Sequence, residues 1–459
     1  MSDLSPAVEF ARQNSRRFLD ELLDMLRIPS ISTLPEHKAD IERAARFVAE
    51  DLKRTGLENV EIIPTDGHPM VYADWLHAEG KPTVLCYGHY DVQPVDPVDE
   101  WETPPFEPHI RNENIYARGS SDDKGQVFMH MKALEALMKT GGGGLPVNVR
   151  VIVEGEEEIG GEGIEKFLKE NAHRLACDAA LVSDTHMFAP ETPSLTIGLR
   201  GILYAELEAR GPRVDRHSGS YGGASPNPIF ALCQVIARLK NEEGRVMIPG
   251  FYDSVKAPSD AELASWKTLP FDEEEYRKKE VGSAELTGEP GYSVLYRTWA
   301  RPTLEVHGMP GGFTGDGAKT VIPARGRAKI SMRLVPDQDP DEIFRFFRNY
   351  VLSIVPKGIR MEVRKIHAAP PVVVGTDNRF VRAAADAMRG VYGKDTVMIR
   401  AGGSIPIVAA FGTHLKAPSI LMGFGLPDDG AHGPNEKFNI PNFHKGIESV
   451  IGFLQNLGR

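Results

Sequence analysis

Cysteine is scarce in this chain: Cys86, Cys177 and Cys233 are the three among 459 residues. Thiols so few and so scattered build neither a disulfide framework nor a zinc ribbon. Long apolar runs are missing as well. No stretch approaches the roughly 18 consecutive apolar residues of a membrane span, so no membrane partner is expected. Basic blocks are lacking, and 53 Lys and Arg stand against 64 Asp and Glu, a net charge of −11. That balance argues against nucleic acid as a partner. The opening MSDLSPAVEFARQNSRRF has no apolar core behind a basic tip, and together with the scarce cysteine it leads us to expect a cytoplasmic protein. What is present is a globular composition, 41% hydrophobic and 25% charged. It is too apolar for disorder and long enough for two or three domains. Glycine (45) and proline (34) are both somewhat high, which fits an α/β protein with many loops.

No repeat stands out, and the glycine run at 141–144 is the one low-complexity feature. Residues 7–27 carry apolar side chains at helical spacing (Val8, Leu19, Leu22, Leu23, Leu26), and so do residues 41–54 (Ala44, Phe47, Val48, Leu52). Apolar runs at 60–63, 71–75 and 83–87 predict strands. A helix is expected over 125–139, after which the glycines and Pro146 break the chain before a Val/Ile-rich strand at 147–153. A helix at 164–171 and a strand at 179–183 continue an alternation that predicts crossover units and a mostly parallel central sheet. From about residue 200 the pattern changes. Alternating strands at 202–209, 328–334 and 360–365, with helices at 226–240 and 341–351, read as a small α+β layer. Residues 239–301 read as helices and loops without clear strands. A helix at 377–392, a strand at 397–400, an apolar run at 420–423 and a closing helix at 443–457 return to the first pattern. The expected organisation is an α/β domain made of residues 1–199 and 374–459, interrupted by an inserted α+β domain at 200–373.

Chemistry concentrates where these strands end. The run at 83–87 leads into Gly88-His89-Tyr90-Asp91, that at 147–153 into Glu154-Gly155-Glu156-Glu157-Glu158, and that at 179–183 into Asp184. The run from Ile420 leads through glycines to His432, and Asp122-Asp123 opens the helix at Gly125. Ligands of open parallel sheets bind beyond the carboxyl ends of the strands. Each piece alone has a plain structural explanation: a turn, a helix cap, a solvated acidic face. Jointly they form a His and carboxylate set of the kind zinc-class dications prefer. Two His and several acids exceed the needs of one tetrahedral ion and suit two ions sharing a carboxylate. Glu156, Glu157 and Glu158 are all candidates for base and ligand at this point.

With these segments the chain resembles the binuclear zinc metallopeptidase family of carnosinases, cytosolic non-specific dipeptidases, aminoacylases and succinyl-diaminopimelate desuccinylases. The resemblance covers nearly the whole chain. It is carried by Gly88 to Val92, Gly119 to Gly125, Glu154 to Gly160, Ser183-Asp184 and Asp429 to His432. Asp215 to Gly223, Gly402 to Pro406 and Asn435-Glu436-Lys437 point to the dipeptidase branch. The resemblance implies a zinc-peptidase-like catalytic domain plus an inserted dimerisation or lid domain. It implies that His89 and Asp184 bind one metal, Glu158 and His432 the other, and that Asp122 bridges them. Two divalent ions per subunit follow, zinc first, with manganese or cobalt as alternatives. Asp91 would orient His89, and Glu157 would be the general base. The family spacing leaves Glu156 as an extra acid, expected to be solvated or lysine-paired. The peptide bond after Asp122 is expected to be cis.

By the same resemblance the protein is a homodimer, and His217 reaches across the interface to stabilise the oxyanion in the partner's site. Arg333 pairs with the free carboxylate of a dipeptide substrate, and Thr320, His367 and Ser404 are further polar contacts. The expected activity is hydrolysis of the dipeptide amide bond, with Glu157 taking a proton from water. The alternative within the family is a deacylase of N-acyl or N-succinyl amino acids. A non-catalytic relative would have lost a ligand or the base, and every expected position is occupied. A two-metal phosphoesterase lacks support, because Gly141–Gly144 is not followed by the Lys-Ser/Thr of a phosphate-binding loop.

Overall fold

The computed structural model describes residues 5–459. The apolar spacing of the first segment forms two helices, Pro6–Gln13 and Ser15–Leu26, which meet at Asn14. Lys38–Thr55 follows as one helix. The strands Glu58–Ile63, Met70–Trp75, Thr83–His89, Asn148–Glu154, Ala179–Val182, Ser194–Leu199 and Ser419–Leu421 form one large sheet. Its parallel character is confined to the middle. Asn148–Glu154, Thr83–His89, Ala179–Val182 and Ser419–Leu421 run parallel in that spatial order. Antiparallel strands extend the sheet on both sides, so it is mixed. The strand Ser194–Leu199 was not singled out in the sequence, although Leu195, Ile197 and Leu199 alternate along it.

The parallel strands are largely apolar because both faces are covered, with Arg150 a half-buried exception. Val84 and Cys86 join the main core. Leu85 and Tyr87 are buried on the other face, where the Tyr87 ring meets Phe411 edge-on at 5.5 Å. The helix Lys124–Thr140 is buried on nearly every side. Its Lys132 is tolerated there because Glu21 (2.6 Å), Asp51 (2.7 Å) and Glu135 (3.0 Å) surround the ammonium. The helices Arg379–Tyr392 and Ile440–Gly458 bury Met388, Phe443 and Ile447 in the same core.

The described chain divides into two compact units. The first takes the residues up to Ile197, then Val374–Ile399 and Pro406–Arg459; the second is Gly198–Val373 with Arg400–Ile405. Residues 400–405, expected with the outer segments, group with the inserted one. The second unit holds an antiparallel sheet in the order Thr303–Gly308, Arg325–Leu334, Gly201–Arg210, Arg360–Ala369. Leu203, Ala205, Leu207 and Ala209 alternate onto a core closed by Leu232 and Val235 of the helix Pro228–Ile236 and by Ile343, Phe347 and Val351 of the helix Pro340–Ser353. The opposite face carries ion pairs such as Arg364 with Glu206 at 2.7 Å. The helix expected over 226–240 ends early, at Ile236, and no named strand lies in 239–301.

Candidate active site

Four parallel strands end at one edge of the large sheet, and each hands over side chains. Thr83–His89 ends in His89, with Asp91 two residues on. Asn148–Glu154 runs into a short 3-10 turn, Glu157–Ile159. Ala179–Val182 stops just before Ser183 and Asp184, and Ser419–Leu421 leads into the loop that carries His432. The register aligns these ends: His89 lies opposite Glu154, and Val182 opposite both Tyr87 and Leu421. The start of the helix Lys124–Thr140 brings in Asp122. It comes close because residue 88 is glycine. A Cβ there would lie 2.5 Å from Val127 Cγ2 and 2.7 Å from Asp123 Oδ2. The Asp122–Asp123 peptide bond is cis.

Donor atoms of His89, Asp122 and Asp184 lie within 4.8 Å of one another, and so do those of Asp122, Glu158 and His432. Asp122 belongs to both groups. His89 Nε2 is 3.1 Å from Asp122 Oδ1, while His432 Nε2 is 2.9 Å from Asp122 Oδ2 and 3.3 Å from Glu158 Oε2. On its other side, His89 Nδ1 lies 3.1 Å from the Asp91 carbonyl oxygen and 3.4 Å from its carboxylate. A proton on Nδ1 directed at Asp91 leaves the Nε2 lone pair facing the donor group. The Asp91 carboxylate also accepts the N–H groups of Glu157 (3.3 Å) and Glu158 (3.1 Å). One buried acid thus links the imidazole to the turn that carries both glutamates.

The charge balance of this cluster favours a cation. Burial, and then the charge of Asp122, push the Glu158 carboxyl up to about 8 and that of Asp184 well above its ordinary range. Burial raises Glu157 in the same direction. Asp122, although buried, is held low by hydrogen bonds to His432 and His89. The hydrogen bond to Asp122 in turn raises the His432 imidazole to about 9. Acids crowded this closely repel one another, and dications relieve the repulsion. Two groups of one imidazole and two carboxylates, joined through a shared carboxylate, are a donor set that divalent metals of the zinc class fit.

Several supporting residues carry no signal of their own in the sequence. Glu436 is fully buried, and its carboxylate accepts the N–H groups of Gly119 (2.9 Å), Ser121 (2.9 Å) and Asp122 (3.1 Å), and Nη1 of Arg118 (2.7 Å). It sits there because Lys437–Asn439 pairs with Asn114–Tyr116 in a small antiparallel sheet. Arg118 also donates to the carbonyl of His432 at 3.0 Å. Gln93 donates to Glu158 Oε2 at 2.7 Å. Ser183 Oγ donates to the Met422 carbonyl and lies 2.7 Å from His130 Nε2, which fixes the turn before Asp184. Glu436 was visible only as part of a branch-specific segment and Ser183 only as the neighbour of Asp184; Arg118, Gln93 and His130 needed the fold. One expectation is corrected. Glu156 is neither solvated nor lysine-paired: it is 6% exposed and packs against Gly67 and Gly163, with Thr65 Oγ1 at 3.4 Å.

The remaining singled-out residues fall into two groups in the second unit. Arg333 Nη1 donates to Ser404 Oγ at 2.9 Å. His367 stacks on Tyr204 with ring centres 5.2 Å apart, and burial together with the Arg333 charge lowers its imidazole pKa. His217 and Thr320 meet on a separate two-stranded ladder, where His217 pairs with Val321 and Ser218 N donates to the Thr320 carbonyl at 3.0 Å. The exposed His217 accepts the Gly219 N–H on Nδ1 at 3.0 Å. Its neutral ring therefore carries the proton on Nε2, as an outward donor.

Comparison with known proteins places this geometry. The family described as Peptidase family M20/M25/M40 matches residues 85–456. A Cys-Gly metallodipeptidase of Candida albicans is 33% identical over 99% of this chain and 98% of its own length. The human Beta-Ala-His dipeptidase is 29% identical over 99% of this chain and 93% of its own. Among solved structures, the di-peptidase Dug1p of Saccharomyces cerevisiae has a TM-score of 0.85 at 31% identity, covering 100% of this chain and 99% of that one. The metallo-carboxypeptidase Sso-CP2 of Sulfolobus solfataricus has a TM-score of 0.86 at 33% identity, covering 96% and 99%. With a family match over most of its length and relatives of this identity from end to end, the chain belongs to peptidase family M20/M25/M40.

Proposed function

We propose that the protein is a metal-dependent dipeptidase that hydrolyses the amide bond of substrates with a free carboxyl end. The observation that carries this reading is the pair of donor groups sharing Asp122, with Glu157 beside them on the turn held by Asp91. His89 and Asp184 would hold one ion, Glu158 and His432 the other, and Asp122 both. Two divalent ions, zinc first and manganese or cobalt as alternatives, would polarise the scissile carbonyl and lower the pKa of water. Glu157 accepts a proton from the attacking water and returns it to the departing nitrogen. Asp91 holds the His89 ring and fixes the turn that aims Glu157. His217 donates from Nε2 to the oxygen of the tetrahedral intermediate in the partner subunit of a homodimer. The second unit is the dimerisation or lid domain. Arg333 pairs with the substrate's terminal carboxylate, with Ser404, His367 and Thr320 as polar contacts. A cytoplasmic location fits the scarcity of cysteine, and no helix among the described residues is long and apolar enough to cross a membrane.

The names of the relatives supply the assay. Protein stripped with a chelator and reloaded with zinc, manganese or cobalt is offered Cys-Gly, β-Ala-His, tripeptides and N-acetyl amino acids, each with the carboxyl end free or amidated. Turnover of free dipeptides and loss on amidation support the reading. Turnover of N-acetyl amino acids in preference to dipeptides would replace it with the deacylase. The carboxypeptidase relative makes tripeptide turnover a measure of how strictly length is read. The dimer is tested by mixing inactive His217→Ala and Glu157→Ala proteins. One working site per mixed dimer should return, and no recovery in a confirmed mixed dimer would reject the shared site.

A further inference from the structure

The segment 400–405 of the second unit is tied down by a residue to which the sequence drew no attention. Arg200 lies between the strands Ser194–Leu199 and Gly201–Arg210. Its Nε donates to the Gly402 carbonyl at 3.0 Å, and its Nη1 lies 3.5 Å from the Arg301 carbonyl. Its own carbonyl accepts the hydroxyl of Ser404. Ser404 Oγ in turn receives Nη1 of Arg333 at 2.9 Å. Main chain and side chain of one arginine therefore clasp the two ends of the Gly402–Ser404 turn, and the turn holds Arg333. Glycine at 402 leaves room for this: a Cβ there would lie 2.9 Å from Arg200 Nη2 and 3.2 Å from the Thr298 carbonyl and would push the guanidinium aside.

The charges make the arrangement unusual. Among the described residues, neither Arg200 nor Arg333 has a carboxylate within the 4.0 Å of an ion pair. The two buried arginines of the same unit are each paired, Arg301 with Glu289 at 2.6 Å and Arg400 with Glu262 at 2.7 Å. Burial, and then the charge of Arg333, pull the Arg200 guanidinium down to about 10, which leaves it charged at neutral pH. Two neighbouring guanidiniums that share no acid of the chain are a standing attraction for an anion from outside. Arg333 spends one Nη1 hydrogen on Ser404 and keeps its other donors.

We propose that Arg200 is a positioning residue for carboxylate recognition: by fixing the Gly402–Ser404 turn it sets the angle at which Arg333 meets the free α-carboxylate of the substrate, and its charge adds to the attraction. This rests on Arg333 being the carboxylate partner. The test compares kcat/KM for a dipeptide with a free carboxyl end and for its amide, and follows their ratio. Arg200→Met should lower the ratio at least tenfold, mainly through KM of the free dipeptide, with metal content unchanged. Arg200→Lys, which keeps the charge and one directed donor, should recover part of the ratio. Gly402→Ala, which displaces the guanidinium without removing it, should lower the ratio as Arg200→Met does. An equal loss on both substrates in Arg200→Met and Gly402→Ala would overturn the proposal and leave Arg200 a structural clasp. Should Arg200→Met fail to fold, Arg200→Lys and Gly402→Ala decide on the same ratio. Arg333→Ala separates the two levels. If it leaves the ratio unchanged, the carboxylate partner itself is wrong. If it collapses the ratio while the Arg200 and Gly402 variants do not, only the role of Arg200 is wrong.

Discussion

The edge of the large sheet and the turn at 402–404 have opposite electrical defects. At the sheet edge, Asp122, Glu157, Glu158 and Asp184 crowd together with two imidazoles as their nearest cations. At the turn, Arg200 and Arg333 stand together, and among the described residues neither is in ion-pair contact with a carboxylate, Glu305 acting on Arg200 only at longer range. Neither cluster is neutralised by the chain that built it. A surplus of acid calls for metal ions and a surplus of guanidinium for an anion. The proposed substrate chemistry needs both, because one end of the molecule is cut and the other is held.

Variants can separate the two halves of this contrast. The largest effect is expected at the shared ligand: Asp122→Asn should abolish activity and reduce bound metal at both sites, read by elemental analysis. Full metal content in that variant would remove the bridge. Next, Glu157→Gln should lower kcat by about 10²–10⁴-fold with metal content intact; a loss below tenfold would take Glu157 out of the role of base. Glu436→Gln removes the charge beside Arg118 and turns one of the two acceptor oxygens into an NH2 donor, so two of the four bonds it accepts are lost. It should weaken metal affinity by about 10–100-fold, measured by competition with a chelator. Arg333→Ala is the counterpart on the cationic side. It should lower kcat/KM for free dipeptides by about 10–100-fold and leave metal affinity unchanged.

The smallest effect is on stability. Burial holds the His130 pKa down to about 4, against an ordinary 6.5. As pH falls through about 6.5, the unfolded chain binds a proton that the folded chain refuses until about 4. The folded state is therefore weakened by acid across that window, by about 2 kcal/mol at pH 5 for this one ring. Urea melts at pH 7 and pH 5 should show a shallower acid loss in His130→Gln than in the parent. An unchanged slope would show that the ring is protonated in the fold.

Much of this was legible because it repeats or because it concentrates. The helix at 38–55 and the strand at 148–154 follow their apolar spacing, with the helix start moved by three residues and the other boundaries by one. His89, Glu158, Asp184 and His432 drew notice as polar groups that follow apolar runs, and Asp122 as an acid that opens a helix; the fold's parallel register brings them together. What escaped notice shares a cause. Arg118, Gln93 and Arg200 act through hydrogen bonds to carbonyls and single oxygens far away in sequence, and no period or spacing marks such a partner. The break at Asn14 falls inside one continuous helical spacing, and the strand Ser194–Leu199, although it alternates, was not singled out. Glu156 was misjudged because three adjacent acids look alike until one of them is buried.

Glu436 also puts a clock on the protein's birth. The loop it organises, Gly119 to Asp122, leaves the ribosome more than 300 residues before it does. At roughly 5–20 residues per second, that is an interval of about 15–60 s in which His89, Asp122 and Asp184 exist without the carboxylate that shapes their loop. Met422, which receives the hydroxyl of Ser183 beside Asp184, and His432 arrive equally late. The whole inserted unit is made in between. The full donor set is therefore present only at the close of synthesis, and a chain cut short before His432 would carry four of the five proposed ligands, with the loop of Asp122 lacking the carboxylate that shapes it.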